Sequence, residues 1–400
     1  MAPQPGQPAL LRTLNDRRAL ELLFAHGPLT RGRLGALSGL SKPTAAQVVQ
    51  RLESLGLVGP VARVSGGRGP DAVAYGPIPG GRVGVAVDAR AHRLAAVAVD
   101  VLGTELARAE VARAVDGPGP GPHDATSGGV DELVALVDRV CREAGAARDQ
   151  LDLAVVGVSA AVDPRTDTLR FAEDFPGWPD RGVGRHLGDA LGCDVVLDND
   201  VKLAALAERE HGAARDADGF SILWMGQGVG LATDLGGVVV RGAAGAAGEV
   251  GYLRSPAALE ADDPVEPSTV HHLLSVSAVL ELGRRHGTAP AEPDAGPDAA
   301  LAAALASDAV LEALARRVAE CVAPVLAVLD PGLLVLAGPP AVLGGDRLAG
   351  LVEEHVAASS PWRTRVVATG VPDGAVLDGA RVALLRELRS RALERAGRVD

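Results

Sequence analysis

Apolar side chains recur at helical spacing along residues 12–25, where Leu14, Ala19, Leu22, Leu23 and Ala25 mark one face and Gly27-Pro28 breaks it. Thr30 then predicts the N-cap of a short helix over residues 31–37, with Leu34 and Leu37 inward and a tight turn at Ser38-Gly39-Leu40. Ser41 predicts a second cap. Pro43 is tolerated in that helix's first turn, Val48, Val49, Leu52 and Leu55 form its buried stripe, and Gly56 ends it. Beyond it the period falls to two. Residues 58–64 and 72–75 alternate around Ser65-Gly66-Gly67-Arg68-Gly69-Pro70, the outline of a two-stranded wing.

After the Pro/Gly segment 77–81, residues 83–87 and 94–99 read as buried strands joined by Asp88-Ala89-Arg90-Ala91-His92-Arg93. A Gly/Pro loop over 117–129, a helix over 130–144 and a strand over 154–158 follow. The pattern recurs. Strands over 220–225 and 230–235 flank Gly226-Gln227-Gly228-Val229-Gly230, and a long helix from about Leu301 to Leu329 precedes a strand over 333–337. Two strand-pair-then-helix units predict two lobes with a cleft between them. The expected organisation is a winged helix-turn-helix over 1–76, a hinge over 77–82 and an α/β body over 83–400.

Composition excludes a disordered chain, since 47% of the residues are hydrophobic. No apolar run approaches the roughly 18 residues of a spanning helix, and the N-terminus lacks a signal-peptide core, so a soluble, cytoplasmic protein without membrane contact is expected. Cys141, Cys193 and Cys321 stand far apart with no C-x-x-C pair, which argues for free thiols rather than a disulfide framework or thiolate zinc site. Charge separates head from body. Residues 1–80 carry nine basic and four acidic side chains, a net +5 that leaves −17 on the remainder of a chain whose total is −12. A basic head on an acidic body implies a nucleic-acid partner for the head alone. On its second helix, Lys42, Thr44, Gln47, Gln50 and Arg51 are expected outward. The small and amide side chains suit base edges in a major groove, Lys42 and Arg51 suit phosphates, and Arg63 and Arg68 of the wing would probe the adjacent groove of operator DNA.

Several segments together carry a resemblance. They are the helix-turn-helix with its Gly-Gly-Arg-Gly-Pro wing, the run Leu197-Asp198-Asn199-Asp200-Val201-Lys202-Leu203-Ala204-Ala205, and Arg241-Gly242 through Ala247-Gly248-Glu249-Val250-Gly251. To these add Asp330-Pro331-Gly332 through Gly338 and Asp373-Gly374 through Gly379-Ala380. Over residues 10–395 the chain resembles the ROK family of repressors, open reading frames and sugar kinases. The resemblance implies an α/β fold, an N-terminal winged helix-turn-helix followed by a two-lobed, actin-like, sugar-kinase-type domain. It implies that Asp200 stands at the position of the base on a sugar hydroxyl, Asn199 at that of a neighbouring hydroxyl contact and Glu249 at that of a third. Trp178 matches a loop position near the sugar, and Tyr252 occupies the position of the family's zinc-binding histidine.

The kinase chemistry is expected to be lost. The family's kinases read Asp-x-Gly-x-Thr where this chain has Asp88-Ala89-Arg90-Ala91-His92, and only glycine lets the backbone wrap a phosphate closely. Pro339-Pro340 after Gly338 removes two further N–H donors near the expected nucleotide site. The cysteine cluster that completes the family's zinc site is missing, so no metal and no cofactor are expected. His271-His272 are expected to be solvated or capping; for Asp198 and Asp200 the alternative to a sugar site is that they only cap a helix starting near Val201. Ser159-Ala160 replaces the family's Pro-Gly. Few aromatics argue against a carbohydrate-stacking platform. The expected function is a transcriptional regulator, by family habit a repressor, acting as a homodimer or dimer of dimers, its body sensing a sugar or sugar derivative with Asp200 as a vestigial base. The alternatives are a ligand-independent regulator with a scaffold body, or an active sugar kinase.

Overall fold

The computed structural model describes residues 7–64, 72–113, 128–171, 178, 181–255, 269–288 and 296–397. The head comprises α1 (Gln7–His26), β1 (Leu29–Thr30), α2 (Arg31–Ser38), α3 (Lys42–Ser54), β2 (Val58–Val64) and β3 (Ala72–Pro77), with sheet order β1-β3-β2. Local chemistry sets each boundary. Thr30 accepts the Arg33 N–H and Ser41 the Thr44 N–H, and Gly39 between the two helices takes φ 72°, a conformation that a Cβ disfavours. The wing turn, Arg68 included, lies outside the described residues.

The apolar face of α1 keeps the expected Ala19, Leu22 and Leu23, all buried, but not Leu14 or Ala25. Leu14 is 52% exposed and Leu55 of the α3 stripe 46%, and Ala25 is also exposed, whereas Leu20 is fully buried with Ala19 and Leu23. The true face runs through Asp16, Ala19, Leu20 and Leu23 at helical spacing, anchored on a charged residue that hydrophobic patterning passes over. Leu55 falls outside because it caps the end of α3.

The first lobe contains β4 (Val83–Arg90), β5 (Arg93–Val99), β6 (Glu105–Ala112), α4 (Gly128–Glu143), β7 (Leu151–Val158), the hairpin β8 (Ala161–Asp163) and β9 (Thr168–Arg170), α5 (Val183–Leu191) and β10 (Asp194–Asn199). α6 (Asp200–His211) leads into the second. That lobe contains β11 (Gly219–Met225), β12 (Val229–Leu235), β13 (Val238–Val239), α7 (Val270–Leu274), α8 (Val276–Arg285), α9 (Pro297–Leu305), α10 (Asp308–Leu329), β14 (Leu333–Ala337), α11 (Pro339–Ser359) and β15 (Arg365–Ala368). α12 (Ala375–Ala396) closes the fold.

Both five-stranded sheets follow one plan, an antiparallel meander whose first strand is extended on its other side by two successive parallel strands: β6-β5-β4-β7-β10 and β13-β12-β11-β14-β15. One core fills the space between the sheets around α6 and α12, another packs α4 and α5 on the first sheet, and a third packs α7 to α11 on the second. Two expected elements are redrawn. β4 continues through Arg90, which pairs with Arg93, so the expected six-residue connection is a two-residue turn at Ala91-His92. The expected helix over 301–329 is two helices, because the chain leaves helical geometry at Ser307 (φ −86°, ψ 125°).

α12 joins the head to the body. Its first half packs on α6, and a Cβ on Gly379 would overlap the Leu203 carbonyl, so the two backbones are in contact. At its other end Ala392, Leu393 and Ala396 enter the head's core beside α1, and Arg389 lies over the Phe24 ring at 5.3 Å while donating to the Val101 and Leu102 carbonyls.

Candidate functional site: an interlobe cleft and a basic head

A cleft of about 570 Å³ opens between the lobes. One wall is the junction of β10 and α6. Asn199 caps α6, accepting the Lys202 N–H at 3.1 Å and donating to the Ala160 carbonyl and to Asp200 Oδ1. Both N–H groups of its amide are thereby engaged, which makes Asn199 a brace for the wall. The alternative in which both carboxylates only cap the helix does not hold: Asp200 is the first residue of the helix, and Asp198 pairs with Arg241 at 2.6 Å. Asp200 accepts from Ser159 Oγ at 2.7 Å and the Val201 N–H at 2.8 Å. Burial pushes its carboxyl up, with the Ser159 hydroxyl and the Arg90 charge opposing. Glu249 faces the same cleft. Burial raises its carboxyl too, against the pull of Lys202. A carboxyl raised by burial is suited to hold or accept a proton at a sugar hydroxyl.

Lys202 was not singled out from the sequence. It is 1% exposed, donates to the Gly245 carbonyl at 2.5 Å and is driven down by burial while Asp198 and Glu249 hold it up. Its signal was available: it is one of two lysines in the chain, on an otherwise apolar stretch.

The opposite wall differs. Arg90 points into the cleft from the end of β4, its guanidinium on Asp88 at 3.0 Å and over the Trp224 ring at 5.6 Å. Gly226, Gly228 and Gly230 line the floor beside it, and Pro339 enters from the first turn of α11. His92, His271 and His272 also line the cleft, and His272 Nδ1 lies 2.8 Å from Thr269 Oγ1.

Of the expected ligand residues, Asn199, Asp200, Glu249 and Tyr252 meet in this cleft. Trp178 does not. It is 7% exposed in the first lobe's core against Gly129, a position its aromatic bulk favours over a loop rim. Tyr252 packs instead on Phe171, with ring centroids 4.6 Å apart, so two aromatics do stand together at the cleft despite the chain's poverty in them. The family's zinc is not suited by these residues. Tyr252 makes an aromatic contact where a histidine would coordinate, and burial pushes Cys141 and Cys193 up to about 11 and Cys321 to about 12 in regions remote from the cleft. Among the described residues no group of three or more His, Cys, Asp or Glu side chains is placed to hold a metal.

On the head, Lys42, Gln47, Gln50 and Arg63 are exposed. Thr44 is half-buried, its hydroxyl 2.8 Å from Ser41 Oγ. Arg51 is corrected. Rather than reaching outward it forms a two-point pair with Asp16 of α1 at 2.5 and 2.8 Å, because the 5% exposed Asp16 carboxylate demands a cation.

The ROK family profile matches residues 84–385, and a winged helix-turn-helix DNA-binding profile matches residues 12–58. The chain belongs to the ROK family and carries a winged helix-turn-helix head. A putative xylose repressor from Caldicellulosiruptor sp. is 23% identical over 250 residues, 62% of this chain and 60% of that protein. The chain spans less than two thirds of the length of the curated relatives it matches. Among solved structures, a ROK family transcriptional regulator, a homologue of the E. coli MLC protein, superposes with TM-score 0.73 over 97% of this chain and 99% of its own at 17% identity. A ROK hexokinase from Thermus thermophilus superposes with TM-score 0.59 over 77% of this chain and 99% of its own at 24% identity. These likenesses establish an N-terminal winged helix-turn-helix followed by a sugar-kinase-like α/β body. No helix of the described residues is long and apolar enough to cross a membrane.

Proposed function

We propose that this protein is a cytoplasmic, DNA-binding transcriptional regulator, a repressor of sugar-related genes, whose kinase-like body binds a sugar or sugar derivative and does not transfer phosphate. The observation that carries the reading is the double engagement of α12, which touches the helix that begins at Asp200 with one half and the core of the DNA-binding head with the other. A sugar that binds one lobe arrangement better than another shifts the population of head positions through that helix, by no more than its differential affinity. Acting as a homodimer, the protein would present two α3 helices to half-sites about 34–36 Å apart. Lys42 faces phosphates, Gln47 and Gln50 face base edges, Arg63 of the wing probes the adjacent groove, and Thr44 supports the helix start. Resemblance to a xylose repressor and to the fold of a regulator supports this assignment.

Arg90 supports the absence of phosphoryl transfer. A guanidinium tied to Asp88 and lodged against Trp224 occupies ground that phosphate oxygens need, and the prolines at the start of α11 withhold N–H donors there. The test is fluorescence anisotropy with an operator selected from random DNA, run with and without a panel of sugars, alongside an ADP-release assay. Specific DNA binding altered by one sugar, with no ADP, is the expected result. Sugar-dependent ADP release abolished by Asp200→Asn would establish the kinase instead.

A further inference from the structure

Phe171 of the first lobe and Tyr252 of the second stand at the cleft 41% and 49% exposed, their ring planes tilted by 41°. The chain has only nine aromatic residues (four Phe, two Tyr, three Trp), and two of them are left half in water side by side. Large apolar rings exposed together lose hydrophobic stabilisation that a ligand ring can restore. Phe171 is also held at φ 56°, a left-handed conformation that a bulky side chain avoids unless its surroundings impose it. The hairpin that leads into it is anchored at two points. Asp167 in the turn of the β8–β9 hairpin accepts the Gly184 and Arg185 N–H groups, and the hairpin packs so closely on Gly245 that a Cβ there would overlap the Val162 carbonyl. Tyr252 ends the single helical turn that follows Glu249, so the carboxylate and the ring are positioned together.

We propose that Phe171 and Tyr252 form a stacking subsite for a second ring, and that the effector is accordingly a glycoside, a sugar carrying another sugar ring or an aryl ring on its anomeric oxygen, rather than a free monosaccharide. The inference rests on the sugar-sensing reading of the cleft. The first sugar hydrogen-bonds to Asp200 and Glu249 through its hydroxyls, and the apolar face of the second ring lies on the aromatic pair.

Calorimetric titration of the full chain tests this with monosaccharides, then with disaccharides and 4-nitrophenyl glycosides built on the same sugars. At least one glycoside is expected to bind tenfold or more tightly than its parent monosaccharide. The disaccharide and nitrophenyl arms show which second ring is preferred. Phe171→Ala and Tyr252→Ala should each weaken the glycoside at least fivefold and leave the parent sugar within twofold, while Tyr252→Phe keeps the preference and shows that the hydroxyl is not the cause. Equal affinities for parent and glycosides overturn the subsite with sugar sensing intact. Equal losses for both ligands in the alanine variants, with unfolding temperatures unchanged, overturn it in favour of an aromatic latch between lobes. If no saccharide of any kind binds the wild-type chain, the sensing reading falls and this inference with it.

Discussion

The two walls of the cleft are built from the same kinds of element, a strand end running into a turn or helix, yet they face the ligand differently. At the β10–α6 junction, Asn199 and Ser159 direct the Asp200 carboxylate into the opening. At the end of β4, Arg90 turns back on Asp88 and fills its own side with a neutralised, aromatic-backed guanidinium. On the proposed reading, one wall offers acceptors to hydroxyls and the other is closed against phosphate. On that reading a kinase-like body keeps recognition without transfer, because binding needs one wall and phosphoryl transfer needs both.

Removing the open wall's carboxylate should have the largest effect. Asp200→Ala is expected to weaken sugar binding by ten- to a hundredfold, since a charged hydrogen bond contributes about 1.5–3 kcal/mol; calorimetry showing wild-type affinity would erase the contrast. Opening the closed wall tests the other half. Arg90→Gly leaves Asp88, 1% exposed, without its cation and should lower stability by about 2 kcal/mol in chemical denaturation. Sugar affinity should stay within threefold, and nucleotide binding should become detectable. Its continued absence would place the obstruction elsewhere, at Pro339 first.

The raised carboxyl of Asp200 sets a pH dependence. A folded-state value above the ordinary 3.8 means that the native chain holds this proton more tightly than the unfolded one, so the group costs stability as pH rises through the folded value. Asp200→Asn should therefore raise the unfolding temperature at neutral pH and have a vanishing effect below about pH 4. A constant increment at every pH would assign the gain to packing.

The head repeats the contrast on a smaller scale, between a free cation and a committed one. Lys42→Ala should reduce the salt dependence of DNA binding by about one charge unit. Arg51→Ala should leave that slope nearly unchanged and instead destabilise the head by about 1–2 kcal/mol, a figure reduced by the partial exposure of the guanidinium. A slope change on Arg51→Ala would return that residue to the phosphate contacts.

What could be read from the sequence follows from how local each signal is. Thr30, Gly39 and Ser41 mark the helix-turn-helix because caps and left-handed turns are determined within a few residues. The strand pairs around Ala91-His92 and Gly226–Gly228 are legible as apolar runs broken by turn residues. β6 was not foreseen, since its Ala, Glu and Arg residues favour helix and only pairing with β5 makes them a strand. Arg51 was misplaced because its partner lies 35 residues away on another helix. Phe171 and Lys202 escaped notice for a like reason. Nothing beside Phe171 in the chain announces Tyr252, and the acids that support Lys202 converge only after two lobes fold together.

The central claim, that sugar occupancy of the cleft controls the head through α12, is tested most directly by operator affinity. Anisotropy titrations of the full chain should show a Kd changed at least fivefold by the sugar that binds the cleft, the lower end of allosteric coupling, and no change in Asp200→Ala. A sugar shown by calorimetry to occupy the cleft while the operator Kd stays the same would contradict the account.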